Sequence, residues 1–253
     1  MKNRLFLFII FCFIVTPWQL GARTYMVTVE VKDYPGEDRD LTKYSSSAAA
    51  SIESAYRKQD STLVCTRLVN QQATSRNIIS AIKTLFARVD TGDIVIVFIN
   101  GHGYDGGFCS YDGYLSYTQL REAIAGCKSK HKMIFVDSCH SGSLRSKAPK
   151  EKQESKMVKD SANRFNVMLF LSSRDEEYSW ATTRYNMGFF TAYLCKAFDG
   201  EADINGDKTV TARELYLFVK EGVVKETTAS DCDVQHPVMW GNFSDSMPVI
   251  HIK

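Results

Sequence analysis

The chain alternates between short apolar runs and longer stretches in which apolar residues return every three or four positions. The runs are Thr24 to Val31, Thr62 to Val69, the run through Ile94-Val95-Ile96-Val97-Phe98 that ends at Asn100, the run through Met133-Ile134-Phe135-Val136 that ends at Ser138, and Asn166 to Leu171. Their length and β-branched content predict strands, and continuous apolarity predicts burial on both faces. The stretches between them predict helices over Ser45 to Lys58, behind a serine cluster suited to capping, and over Ser75 to Val89, with Ile78, Ile79, Ile82, Leu85 and Phe86 on one face. Further helices are expected over Tyr117 to Ala125, Gly188 to Phe198 and Ala212 to Val223, the last carrying Leu215, Phe218 and Val219 on one face. Phe108 to Leu115, broken by Asp112-Gly113, predicts a hairpin. Strands alternating with helices imply an α/β fold: a mainly parallel sheet with helices on both faces.

Two of these strands end in residues that carry chemistry. One runs into Asn100-Gly101-His102-Gly103, the other into Asp137-Ser138-Cys139-His140-Ser141-Gly142. Reactive groups gather at the carboxyl ends of strands in open α/β sheets. A cysteine at one such end and a histidine at another form a nucleophile and its base, because the attacking species is the thiolate. Cys139 is the candidate nucleophile and His102 the candidate base. The glycines beside His102 let the backbone turn sharply against a ligand. Asp137 precedes Cys139 by two residues and shares its face on an extended segment. Its carboxylate can pair with a basic substrate side chain, or it can simply cap nearby backbone N–H groups. Asn100, two before His102, is placed to line the same pocket. His140 falls on the opposite side, and a zinc site of His102, Cys139 and His140 fits no standard ligand spacing.

Together the two motifs resemble those of the caspase and metacaspase cysteine peptidases, the metacaspase branch most closely. The resemblance extends over residues 25 to 240 through Asp33-Tyr34-Pro35-Gly36, Ala73-Thr74-Ser75-Arg76-Asn77-Ile78, Gly188-Phe189-Phe190-Thr191 and Gln235-His236-Pro237. It implies a caspase-like fold, cysteine endopeptidase activity on peptides or proteins, and no required cofactor. It also implies an oxyanion hole from the N–H groups of Gly103 and Cys139, and a preference for Arg or Lys before the cut, with Asp137 as the pocket charge. A second pocket aspartate expected on the first helix has no counterpart in Ser46-Ser47-Ala48-Ala49-Ala50-Ser51-Ile52-Glu53. Two other uses of the motifs stand beside peptidase activity: transamidation by the same dyad, and a catalytically inactive binding module.

The N-terminus changes the compartment. Lys2 and Arg4 precede an apolar run from Leu5 to Val15, followed by Pro17 and a small-residue site at Gly21-Ala22. That layout predicts a signal peptide over residues 1–22, a peptidase domain over 23–253, and an exported protein, periplasmic or secreted. The run is too short to span a bilayer, which takes about 20 residues. Cys12 follows the bulky Phe11, so no stable membrane anchor is expected. Without the leader, 29 bases face 29 acids and six cysteines remain. Charge balance gives nucleic acid no global field to bind. Cys65 and Cys195 lie in apolar segments and are expected as buried thiols. Oligomeric state is not legible.

Two polar segments complete the reading. Residues 143–164 hold Arg145, Lys147, Lys150, Lys152, Lys156 and Lys159 with little that is apolar. Composition makes this a solvated loop, passive or, as the resemblance implies, a site of self-cleavage after those bases. Further on, Asp203, Asn205, Asp207, Thr209 and Glu214 carry the oxygen spacing of a calcium loop, with Gly206 at position four and Lys208 where glycine belongs. The alternative is an Asx-rich turn with Thr211 capping the next helix.

Overall fold

The computed structural model describes residues 22–35, 41–44, 46–104, 106–139, 167–174 and 176–253. The expected leader, the loop over residues 143–164 with its six candidate cleavage sites, and His140 lie outside the described residues, apart from Ala22 at the leader's end.

A six-stranded sheet forms the centre. It contains β1 (Thr24–Glu30), β2 (Val64–Val69), β3 (Ile94–Asn100), β7 (His131–Asp137), β8 (Val167–Leu171) and β12 (Val238–Gly241), in the spatial order β12-β8-β7-β3-β1-β2. All pairings are parallel except β12 with β8. The chain is thus mixed α/β with a mostly parallel sheet flanked by helices. The antiparallel edge β12 was not anticipated. Its four residues are half-buried or exposed, so no apolar run marks them.

The helices are α1 (Ala48–Gln59), α2 (Ser75–Phe86), α3 (Tyr117–Ala125), α4 (Phe189–Lys196) and α5 (Ala212–Thr228). α2 and α3 cover one sheet face, where Ile78, Ile82, Leu85, Leu120 and Ile124 pack on Val27, Val29, Val97, Ile99, Ile134 and Val136. α1, α4 and α5 cover the other, where Ile52, Tyr56, Phe190, Leu194, Leu215 and Val219 pack on Met26, Ile96, Phe98, Phe135 and Phe170. Successive residues of one strand therefore enter different cores, which is why the strand runs are apolar throughout. Phe170 meets Phe190 edge-on at 4.9 Å, and Phe135 meets Phe198 at 5.9 Å. Each such pair contributes about 0.5–1.5 kcal/mol beyond burial.

Helix starts follow the side chains that accept their first N–H groups. Ser47 accepts from Ala50 and starts α1, later than Ser45. Ser116 with Gln119, and Thr211 with Glu214, make reciprocal capping boxes for α3 and α5. α5 runs five residues past the expected Val223, and α4 is shorter than expected because residues 197–201 form a π turn. The expected hairpin is the outer part of a small three-stranded sheet: β4 (Gly103–Tyr104), β5 (Gly107–Ser110) and β6 (Gly113–Ser116). The remaining strands form two short pairs, β9 (Ala181–Thr182) with β10 (Met187–Gly188) and β11 (Thr209–Thr211) with β13 (Pro248–His251). No helix among the described residues is long and apolar enough to cross a membrane.

Candidate active site

Strand register decides what meets at the top of the sheet. β3 lies between β1 and β7, with Asn100 opposite Glu30 on one side and Asp137 on the other. Gly101 N–H donates to the Asp137 carbonyl at 3.3 Å, and Asn100 Nδ2 donates to the same oxygen at 3.3 Å. The segment carrying His102 thus leaves the sheet directly beside the one carrying Cys139. Both residues line one cavity of about 170 Å³, together with Glu30, Asn100, Asp137, Ser179 and Trp180. Gly103 presses against the Cys139 main chain: a Cβ added there would stand 2.1 Å from the Cys139 carbonyl oxygen. Only a residue without a side chain permits that approach.

His102 is held from behind. Its N–H donates to Tyr34 Oη at 2.8 Å, Tyr34 Oη donates to the Cys109 carbonyl at 3.0 Å, and the two rings sit 5.0 Å apart. Cys139 is half-buried, and its thiol points at the Ser179 carbonyl with sulfur 4.0 Å away. Burial pushes the thiol pKa above its ordinary value, and the nearby Asp137 charge adds to that. Alkylation of Cys139 by iodoacetamide in the substrate-free protein is therefore expected to keep accelerating above pH 9. Timed quenching and peptide mass spectrometry give the rate, and a plateau below pH 8 would contradict the raised pKa. Cys65 and Cys195, expected to be buried, are half-exposed by surface but deeply enough packed that burial lifts both thiols to about 12. All six cysteines of residues 23–253 are described, and none is disulfide-bonded.

Asp137 is only 3% exposed. Its Oδ1 accepts from Ser179 Oγ at 2.6 Å, and its Oδ2 accepts from Thr191 N at 3.2 Å and Thr191 Oγ1 at 2.5 Å. Residue 188, the N-cap of α4, is glycine and has no side chain to offer, so Asp137 serves the helix start from the neighbouring strand. A Cβ on Gly188 would come within 2.3 Å of Oδ2. The capping role considered from sequence is therefore present, on a carboxylate that also lines the cavity. Burial raises its pKa, and the three donated hydrogen bonds act in the opposite direction.

Several residues of the site escaped the sequence reading. Glu30, at the end of β1 and 1% exposed, places a second carboxylate on the cavity wall, where it accepts from Ala48 N at 2.9 Å and from Ser47 Oγ at the start of α1. Its position at the end of an apolar strand, in line with Asn100 and Asp137, was the available signal. Lys32 and Lys43 also line the cavity, and the Lys32 ammonium donates to the carbonyls of Tyr44 and Ser46. Ser179 had no sequence signal, since its partners lie 40 and 42 residues away.

The candidate calcium loop uses its oxygens otherwise. Asp203 accepts from the N–H groups of Gly206 and Lys208, each at 2.9 Å, Asn205 accepts from Asp207, and Asp207 from Thr209. Glu214 Oε2 turns to Thr211 N and Oγ1, at 3.0 and 2.7 Å, to close the α5 capping box. Thr209 Oγ1 bonds His251 Nδ1 at 3.1 Å. Among the described residues, no group of three or more His, Cys, Asp or Glu side chains is placed to hold a metal ion. Asp203, Asn205, Asp207, Thr209 and Glu214 thus make the hydrogen bonds of an Asx-rich turn and a helix cap, and calcium binding by the same residues remains a proposal.

Comparisons with known proteins agree with this architecture. The family described as the caspase domain matches residues 43–247. No curated protein sequence matches the chain. Among solved structures, a crystal structure of a Geobacter sulfurreducens protein superposes with a TM-score of 0.60 at 15% identity, covering 91% of this chain and 100% of that one. At that identity the likeness speaks for the fold.

Proposed function

We propose that the chain, which belongs to the caspase domain family, is a cysteine endopeptidase that cleaves after Arg or Lys, and from the layout of residues 1–22 that it is exported. The observation that carries this reading is the cavity into which the ends of β3 and β7 bring His102, Cys139 and Asp137. In the proposed reaction, the His102 imidazole removes the thiol proton and the Cys139 sulfur attacks the peptide carbonyl carbon. The oxygen, now negative, is stabilised by the N–H groups of Gly103 and Cys139, whose main chains are in contact. Donors of this kind contribute about 10²–10³ in rate each. Collapse of the adduct breaks the C–N bond, and His102 returns its proton to the leaving amine. Water, deprotonated by His102, then hydrolyses the thioester and releases the acid and the free thiol. The raised thiol pKa makes His102 necessary, because little thiolate exists before substrate arrives.

Asp137 would bind the basic side chain. A carboxylate has about four lone-pair sites, and three hydrogen bonds to Asp137 leave room for one substrate donor. Tyr44, Trp180 and Met187 offer apolar wall for the stem of a lysine or arginine.

A positional-scanning peptide library, run on residues 23–253 and on Cys139→Ala, tests the proposal. Cleavage after Arg and Lys in the first protein alone is the expected result. Cleavage after Asp would overturn the pocket assignment, amine trapping in the products would favour transamidation, and failure of a thiol probe to label Cys139 would favour the binding module. Self-cleavage belongs to the same reading. Segment 143–164 follows Cys139 closely in sequence and would meet the site at high effective concentration. Intact mass of the same two preparations should show cuts after one or more of Arg145, Lys147, Lys150, Lys152, Lys156 or Lys159 only where Cys139 is present.

A further inference from the structure

We propose that Gln235 is a positioning residue for the nucleophile, acting through Ser172 and Ser179, which hold the two sides of the Ser138–Cys139 segment. The role in turnover rests on the cysteine-peptidase reading above, while the positioning itself does not. Gln235 is fully buried. Its Oε1 accepts from Trp180 N at 2.9 Å, and its Nε2 donates to the Ser172 carbonyl at 2.7 Å and to Ser179 Oγ at 3.3 Å. Its own N–H donates to Thr227 Oγ1 at 3.1 Å, which anchors it to α5.

These partners fix the orientation of the amide, since only the carbonyl end can meet an N–H and only the amino end can meet a carbonyl. They also fix the order of donors beyond it. Ser179 Oγ has one proton, which goes to Asp137 Oδ1. It must therefore accept from Gln235. The result is a directed chain from the Gln235 amide through the Ser179 hydroxyl to the Asp137 carboxylate. The Ser179 carbonyl meanwhile receives the Cys139 thiol. On the other flank, Ser172 Oγ accepts from Ser138 N and donates to the Ser138 carbonyl, both at 3.2 Å. One buried amide thus ties together the clamp on Ser138 and the segment that faces Cys139.

The neighbouring residue braces the same loop. His236 N donates to Glu177 Oε2 and His236 Nδ1 meets Glu177 Oε1, both at 2.9 Å. That contact leaves Ser179 and Trp180 to Gln235. The amide offers one acceptor and two N–H donors, so a replacement breaks the link to Trp180 or at least one of the links to Ser172 and Ser179.

The test compares Gln235→Met, Gln235→Glu, Ser179→Ala and the Gln235→Met/Ser179→Ala double variant. Gln235→Met removes every side-chain hydrogen bond at similar volume. Gln235→Glu keeps an acceptor for Trp180 N and loses both donors when ionised and one of the two when protonated, so it serves where the methionine variant does not fold. Rates are taken per titrated active site, well below each melting temperature, on an Arg-ended fluorogenic peptide. The iodoacetamide rate constant of Cys139 is measured in parallel. Small displacements of reacting groups cost rate steeply, so kcat should fall about tenfold to 100-fold in Gln235→Met, and the alkylation rate should change several-fold. If Gln235 works through Ser179, adding Gln235→Met to Ser179→Ala should cost less than about threefold more. Wild-type kcat and alkylation in Gln235→Met, whatever its melting temperature, would overturn the proposal, and full additivity would overturn the route through Ser179 and leave only the one through the Ser172 carbonyl. A wild-type protein inactive on every peptide would count against the peptidase reading alone, since the alkylation arm still decides the positioning.

Discussion

Replacing Cys139 with alanine is expected to abolish peptide hydrolysis in a protein that still folds, and His102→Ala is expected to do the same. Loss of the nucleophile or base in a catalytic dyad or triad costs rate on the order of 10⁶-fold in the best-measured serine peptidase. The cost to the fold should be small at both positions. The Cys139 sulfur makes one long contact to the Ser179 carbonyl. The two main-chain hydrogen bonds of His102, from its N–H to Tyr34 and to its carbonyl from Cys109 N at 2.9 Å, survive loss of the ring. Each substitution should therefore stay within about 1–2 kcal/mol of wild-type stability. Hydrolysis assays beside a thermal melt by circular dichroism check both halves. Wild-type turnover in a well-folded Cys139→Ala protein would end the proposed mechanism.

The second large effect concerns Asp137. Asp137→Asn is expected to lower kcat/KM for Arg and Lys substrates at least about 30-fold, because losing one member of a buried charge pair costs roughly 2–5 kcal/mol. The same substitution disturbs the hydrogen bonds of the site, since an amide oxygen turned to Thr191 still accepts from both of its donors but leaves an amino group facing Ser179 Oγ, which then loses the acceptor for its proton. The two consequences separate by substrate. If Asp137 recognises the basic side chain, the ratio of kcat/KM for an Arg peptide over one with a neutral residue before the cut should collapse, while iodoacetamide labelling of Cys139 changes only a few-fold. If the carboxylate serves only the helix, both substrates should slow equally and the melting temperature should drop, which would remove the specificity proposal and leave the dyad untouched.

The parallel sheet and the strand-end motifs were legible because burial on both faces writes itself locally, as in Ile94 to Phe98 and Met133 to Val136. The same is true of caps, where Ser116 and Gln119 are three residues apart. What stayed hidden depends on partners remote in sequence. Tyr34 supports a histidine 68 residues away, Ser179 a carboxylate 42 residues back, and Gln235 a turn 55 residues back. None of these side chains has a local signature, and Gln235 appeared only as part of a familiar motif. The strand β12 was hidden for a different reason, as an edge whose residues half face solvent. The acidic turn after α4 carries a pattern that two kinds of loop share. Calcium loops and Asx turns use the same oxygens at the same spacing, so the pattern does not choose between them, and the structure adds that Glu214 turns inward to Thr211.

The seam between β7 and β8 has a consequence for how the candidate site is assembled. These strands pair side by side, Lys132 with Val167 through Val136 with Leu171. Everything that would react stands on the earlier side of the seam: His102, Gly103 and Cys139. Everything that holds the nucleophile from the other direction stands on the later side: Ser172, Ser179, Thr191 and Gln235. The molecule is in that sense two half-machines docked through a shared row of hydrogen bonds and two hydrophobic cores. Residues up to 139 and from 167 onward each supply part of the cavity wall and its hydrogen bonds, and neither part alone carries all of them.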